Sequence, residues 1–272
     1  MGRDSAVQDA RAVLSVDIVT EFPGMVSGYL GESMIGRASR KGVVSFRIVN
    51  PRDFTEDRHH STDDRPYGGG PGMVMLADPL VRAVESVAGA GSKVILMTPS
   101  GKPFVQADAR RLARERHLVF VCGHYEGIDD RVRQILQPEE ISIGDFVLTN
   151  GALPAACVID ATVRLLPGVL GGEGAADDES FETGLLDFPQ FTHPPEYRGL
   201  KVPEVLQSGN HALIKAWRRR EAERLTIERR PDLAAKAGLQ LPKTEPPLLE
   251  HCGSNAKKTK RLQGNKAEET TK

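Results

Sequence analysis

The sequence predicts an α/β fold built on a mostly parallel sheet, followed by a small helical unit. Three observations point to it. Runs rich in Val, Ile, Leu and Phe at Leu14–Thr20, Val43–Asn50, Lys93–Met97 and His117–Cys122 are too continuous for one-sided strands and read as strands buried on both faces. Helical patterns at Pro79–Val87 and Ala107–Glu115 lie between them, and this alternation is what parallel strands joined by crossover helices produce. From Gly168 to about Lys201 the composition shifts to Gly, Pro and acidic residues, and a further helical pattern follows.

The elements can be justified in order. Each early strand ends on turn formers: Asn50-Pro51, then Thr98-Pro99-Ser100-Gly101, then Gly123 through Gly127. In an open parallel sheet the ligand site is expected there, at the carboxyl ends of the strands. Glu139–Leu148 reads as another strand, and Leu153–Leu166 as a helix that stops before Pro167-Gly168. Asn210 can cap a helix over His211–Leu225, with Leu213, Trp217 and Leu225 facing a small core and Lys215, Arg218, Arg219 and Arg220 at its rim. Beyond Pro242 the polar, charged composition is that of a disordered tail.

Composition sets the outer limits. A chain of 272 residues, 39% hydrophobic and 27% charged, can bury a large core and fits one large domain with a small second one. Its three cysteines, Cys122, Cys157 and Cys252, form no CxxC pair, so neither a disulfide framework nor a zinc site is expected, and a cytoplasmic location is. The apolar stretch Ala152–Val169 is broken by Asp160, Arg164 and Pro167, and the first ten residues lack the pattern of a secretory leader, so no membrane span is expected. Net charge is −1, yet residues 212–272 carry 15 Lys/Arg against 8 Asp/Glu, which leaves residues 1–211 net acidic. A solvated basic helix with a basic tail and a polyanion-binding module both fit that asymmetry.

Common nucleotide signatures fail. GGGPGM at Gly68–Met73 is not GxGxxG, and Gly101-Lys102 lacks the earlier glycine of a phosphate-binding loop. What stands out instead is a set of three Gly-bearing turns: MTPSGK (97–102), CGHYEGID (122–129) and ISIGDFVLTNGALPA (141–155). Glycine permits close backbone approach, and backbone N–H and C=O groups can then read a flat base. The loop 51–72 holds Asp53, Asp57, Arg58, His59, His60, Asp63, Asp64, Arg65 and Tyr67, too many ionisable groups for a core; His59 and His60 are not a metal pair on spacing alone.

Together with NPRDFTEDRHHSTDDRPYGGGPGM (50–73), RLLPGVLG (164–171), ESFETGLLDFPQFTHP (179–194) and VPEVLQSGNH (202–211), these turns resemble the bacterial tRNA (guanine-N1)-methyltransferase family from about Leu14 to Arg230. The family belongs to the SPOUT methyltransferases. The resemblance implies a deep trefoil knot in the sheet, a homodimer whose active sites each draw on two subunits, S-adenosylmethionine as methyl donor and a magnesium-dependent activity. Its implied reaction is methylation of tRNA at N1 of the guanosine just 3′ of the anticodon, position 37. The implied organisation is a knotted methyltransferase domain over 1–170, a mobile linker over 171–201, a helical tRNA-binding domain over 202–250 and a basic tail over 251–272.

Position by position, the resemblance places the cofactor against Met97, Pro99, Gly123, Tyr125, Glu126, Ile143, Gly144, Asp145, Phe146, Val147, Leu148, Gly151 and Pro154. Asp53 and Arg58 fall in its substrate-facing loop, and Arg218 and Arg219 are expected to meet tRNA phosphates. Methylation at N1 requires a base for the departing proton and a donor for charge building on O6. The resemblance gives the second role to Arg164. At the family's Asp base this chain has Glu179, preceded by Asp177 and Asp178; Glu179 or, after a one-residue shift, Asp178 is the expected base. Two further departures are Asn150-Gly151-Ala152-Leu153-Pro154 for the family's Gly-Gly-Glu-Leu-Pro, and Phe191-Thr192-His193-Pro194 for Tyr-Thr-Arg-Pro.

Overall fold

The computed structural model describes residues 13–171 and 179–240. Strands β1 (Leu14–Val19), β2 (Val44–Val49), β5 (Lys93–Pro103), β6 (His117–Cys122) and β7 (Glu139–Ser142) form one parallel sheet in the order β2-β1-β6-β5-β7. Alternation along each strand feeds two cores. Leu14, Val16 and Ile18 of β1 and Leu118, Phe120 and Cys122 of β6 share one face with helices α1 (Pro23–Gly31), α2 (Ser33–Arg40) and α6 (Ala152–Val163). Val19, Leu96, Val119 and Val121 face the other way, against α3 (Ala77–Glu85) and α5 (Asp130–Leu136). Burial on both faces is what the continuous apolar runs required.

Helix α4 (Gln106–Leu112) links β5 to β6, and the minor strands β3 (Asp63–Asp64) and β4 (Val74–Met75) pair antiparallel at the base of the long loop. After residue 179 come a short hairpin, β8 (Glu196–Tyr197) and β9 (Leu200–Lys201), then α7 (Glu204–Gln207), α8 (His211–Arg229) and α9 (Pro231–Lys236). Among the described residues no helix is long and apolar enough to cross a membrane.

Several expectations need correction. Helices α1 and α2 are not among the expected elements; in α1, Gly24, Gly28 and Gly31 interrupt the apolar pattern. In α2, Gly36 has a steric reason: a Cβ would stand 2.0 Å from the carbonyl oxygen of Gly31. Strand β5 does not stop at Met97. Ile141 of β7 pairs with both Met97 and Lys102, so residues between them bulge out. Strand β7 ends at Ser142, well short of Leu148. Helix α8 runs past Leu225 to Arg229, and Leu213 is 54% exposed; its buried positions are Ala222 and Thr226 instead. The expected tail beyond Pro242 and the Asp178 position lie outside the described residues.

Candidate active site

At the carboxyl ends of β5, β6 and β7 the three glycine-bearing turns enclose a cavity of about 440 Å³. Each turn arrives there for a steric reason. The β5 bulge needs Gly101, whose added Cβ would lie 2.5 Å from the Ile141 nitrogen. The second turn leaves β6 at Cys122 and passes Tyr125, a non-glycine residue held at a φ of +57°. The third crosses directly over the second: Gly151 donates its N–H to the Gly123 carbonyl at 2.8 Å, and a Cβ on Gly151 would meet the Cys122 Cα at 2.8 Å. Only glycine permits that crossing.

Of the expected cofactor residues, Met97, Pro99, Gly123, Tyr125, Glu126, Ile143, Gly144, Phe146, Val147, Leu148, Gly151 and Pro154 line the cavity. Asp145 does not; it is exposed. Thr98, Ser100, His124 and Arg133, which are not among the expected site residues, supply polar groups to the same wall. Thr98 and Ser100 sit inside a segment already singled out, so the bulge alone would have named them. Arg133, reaching in from α5 and bonded to Glu140 at 3.2 Å, had no local signal. Burial, with the nearby Glu21 carboxylate, pushes the Tyr125 phenol above its ordinary value and keeps it a proton donor.

The charged loop is tied to this cavity. Glu126 donates its N–H to Met73 at 3.0 Å, and Met75 donates to Gly127 at 2.9 Å. Gly72 sits so close that a Cβ would reach within 2.4 Å of the Glu126 Cγ. Within the loop, Asp57 accepts from the His59 N–H at 3.0 Å and from the Ser61 N–H and hydroxyl at 2.9 Å each, which makes it a turn organiser. Asp53, on the short 3₁₀ turn Pro51–Phe54, and Arg58 are both exposed. Arg52 anchors the loop base through the buried Glu21 at 3.3 Å.

Arg164, at the C-terminal end of α6, makes a two-pronged ion pair with Glu179, at 2.5 and 2.6 Å. That guanidinium holds the Glu179 carboxyl below the usual carboxylate range, and the carboxylate in turn raises Arg164. Neither residue lines the cavity of its own chain. Further along, the Arg218 guanidinium lies 4.8 Å from the centre of the Phe188 ring, and Arg219 is bonded to Glu223 at 2.5 Å on the same helix.

Comparison with known proteins bears on this arrangement. Residues 14–236 match the family model described as tRNA (Guanine-1)-methyltransferase TrmD. Among curated relatives, a tRNA (guanine-N(1)-)-methyltransferase of Pelotomaculum thermopropionicum is 54% identical over 230 residues, 83% of this chain and 92% of its own length. Proteins of the same name from Geobacillus kaustophilus and Bacillus subtilis are each 52% identical, covering 81% of this chain and 91% and 92% of their own lengths. With the match running from the first sheet strand into the last helix, the chain belongs to the tRNA (guanine-N1)-methyltransferase family.

Proposed function

We propose that this chain transfers the methyl group of S-adenosylmethionine to N1 of the guanosine immediately 3′ of the tRNA anticodon. The observation that carries the reading is the cavity of about 440 Å³ built from three glycine turns at the carboxyl ends of the strands, in a chain of this family. Its donor set suits the cofactor. Backbone of the 143–148 turn can read adenine, Ile143 and Leu148 keep water off it, and the Glu126 carboxylate favours a cationic molecule. When bound, S-adenosylmethionine supplies an electrophilic methyl group.

The chain's own residues handle the proton and the charge. Glu179 takes the N1 proton, and Arg164 donates to O6 as negative charge builds there. In the free protein these two groups bond each other. Guanine presents O6 and N1–H side by side, an acceptor next to a donor, so its edge exchanges one ion pair for two matched contacts. Asp178 remains the alternative base. Magnesium enters through resemblance alone; among the described residues no three His, Cys, Asp or Glu side chains converge on a metal site.

The reading includes a knotted sheet, the domain division at about residues 170 and 201, a cytoplasmic location and a homodimer. Support for the dimer is twofold. Met25 and Tyr29 on α1 and Leu153 on α6 are half-exposed on neighbouring helices that the Tyr29 hydroxyl and Asp160 join. Arg164 and Glu179 stand outside their own chain's cavity, so a second copy is what would bring a base and a methyl donor together. Asp53 and Arg58 then face the substrate, and Arg218 and Arg219 hold backbone phosphates.

Labelled methyl transfer to unmodified tRNA, followed by mass-spectrometric mapping of the modified nucleoside, tests the proposal. The expected product is N1-methylguanosine next to the anticodon. A ribose methyl, or no transfer at all, would overturn it.

A further inference from the structure

The hairpin β8–β9 is two residues long on each side and turns through Arg198 and Gly199, both in the left-handed region with φ of +53° and +81°. Tyr197 and Leu200 are direct cross-strand partners, so their side chains leave the same face of the hairpin. They are 61% and 62% exposed. The Arg198 guanidinium lies 5.2 Å from the centre of the Tyr197 ring and has no carboxylate partner among the described residues. A hairpin this small does not gain stability by leaving a large aromatic and a leucine paired in water. The same part of the chain repeats the pairing of aromatic with cation or second aromatic: Arg218 on Phe188, and Phe191 with Trp217 at 6.2 Å.

An exposed, flat, apolar ring bordered by an unpaired cation is complementary to a nucleobase and its phosphate. We propose that Tyr197, with Arg198, is a stacking subsite for an unpaired nucleotide of the substrate RNA, distinct from the phosphate contacts of α8 and from the target base. The tight turn fixes the ring in advance, which lowers the ordering cost of stacking on it. Leu200 extends the platform, and Arg198 takes the adjoining phosphate. The inference rests on tRNA being the substrate.

Binding of the full chain to an anticodon stem-loop RNA tests it, with a fully paired duplex of equal length as control and methylation of whole tRNA followed in the same preparation. Tyr197→Ala is expected to weaken stem-loop binding about 5- to 150-fold, the range of one lost base–aromatic stack. The slope of affinity against salt should stay unchanged, and duplex binding should stay near wild type. Tyr197→Trp should restore affinity. Arg198→Ala should flatten the salt slope by about 0.7, one single-strand phosphate contact. Unchanged affinity in Tyr197→Ala, an equal loss on duplex, or a shift in oligomeric state that marks the patch as an interface between copies would each overturn the proposal. Failure of wild-type methylation would instead overturn the reading of tRNA as substrate.

Discussion

At the scale of single residues, the proposed reaction turns on the Arg164–Glu179 ion pair. A base worth about 10²–10⁴ in rate makes Glu179→Gln a strong test: kcat should fall by that range while cofactor affinity holds. An unchanged rate would hand the role to Asp178. The pair also sets a pH dependence. Arg164 depresses the Glu179 carboxyl, so the base stays ionised to lower pH than an ordinary glutamate, and kcat/KM should be lost only as pH falls through the lowered value. Removing the cause reverses the shift. Arg164→Gln should move the acid limb of the kcat/KM profile up toward the ordinary glutamate value of about 4.3, besides lowering the plateau by roughly 10²–10³ through loss of the O6 donor. A limb that stays where it was would mean that another group governs it.

At the scale of elements, the cavity depends on how closely its three turns cross. Gly151→Ala would press a Cβ to 2.8 Å from the Cys122 Cα and 3.0 Å from the Gly123 nitrogen, both backbone atoms that cannot swing aside. Overpacking of this kind costs about 1–3 kcal/mol. The variant should melt earlier and bind S-adenosylmethionine more weakly by calorimetry. Gly89→Ala, where a Cβ meets nothing within 4 Å, serves as the matched control and should do neither. This steric logic also explains what the sequence made legible. Strands buried on both faces announce themselves through β1, β5 and β6, and the glycine turns mark the cavity, where close backbone contacts require Gly101 and Gly151. Helix α1 gives no periodic signal, since Gly24, Gly28 and Gly31 break the apolar stripe that would reveal a helix. Leu213 was misplaced because helical spacing states which residues share a face, not whether anything covers that face. Arg133 belongs to α5 and reaches the cavity through tertiary packing that no local pattern encodes.

At the scale of the whole molecule, charge and symmetry decide. The phosphate contacts proposed for α8 should be unequal: Arg219 already neutralises Glu223, whereas Arg218 lies over the Phe188 ring with no ion pair among the described residues. Arg218→Ala should therefore flatten the salt dependence of tRNA binding by nearly one contact, a slope change of about 0.7–0.9, and Arg219→Ala by less. Identical slopes in wild type and both variants would remove α8 from the RNA interface. Symmetry supplies the sharper test. If each active site joins the cavity of one copy to the Arg164–Glu179 pair of the other, Glu179→Gln and Gly151→Ala damage different halves of one site. Each homodimer is then impaired at both sites, in turnover or, at low S-adenosylmethionine concentration, in cofactor occupancy. Random mixing makes half of the dimers heterodimers, each with one site free of either change, so about one site in four regains function. Within a single chain the same mixture would recover nothing, because every chain carries a defect. Mixing the two purified variants through a denaturation and refolding cycle, then assaying methyl transfer, separates these outcomes. Recovery near a quarter of wild-type activity is expected, and no recovery in a mixture verified to contain heterodimers would place the complete site inside one chain.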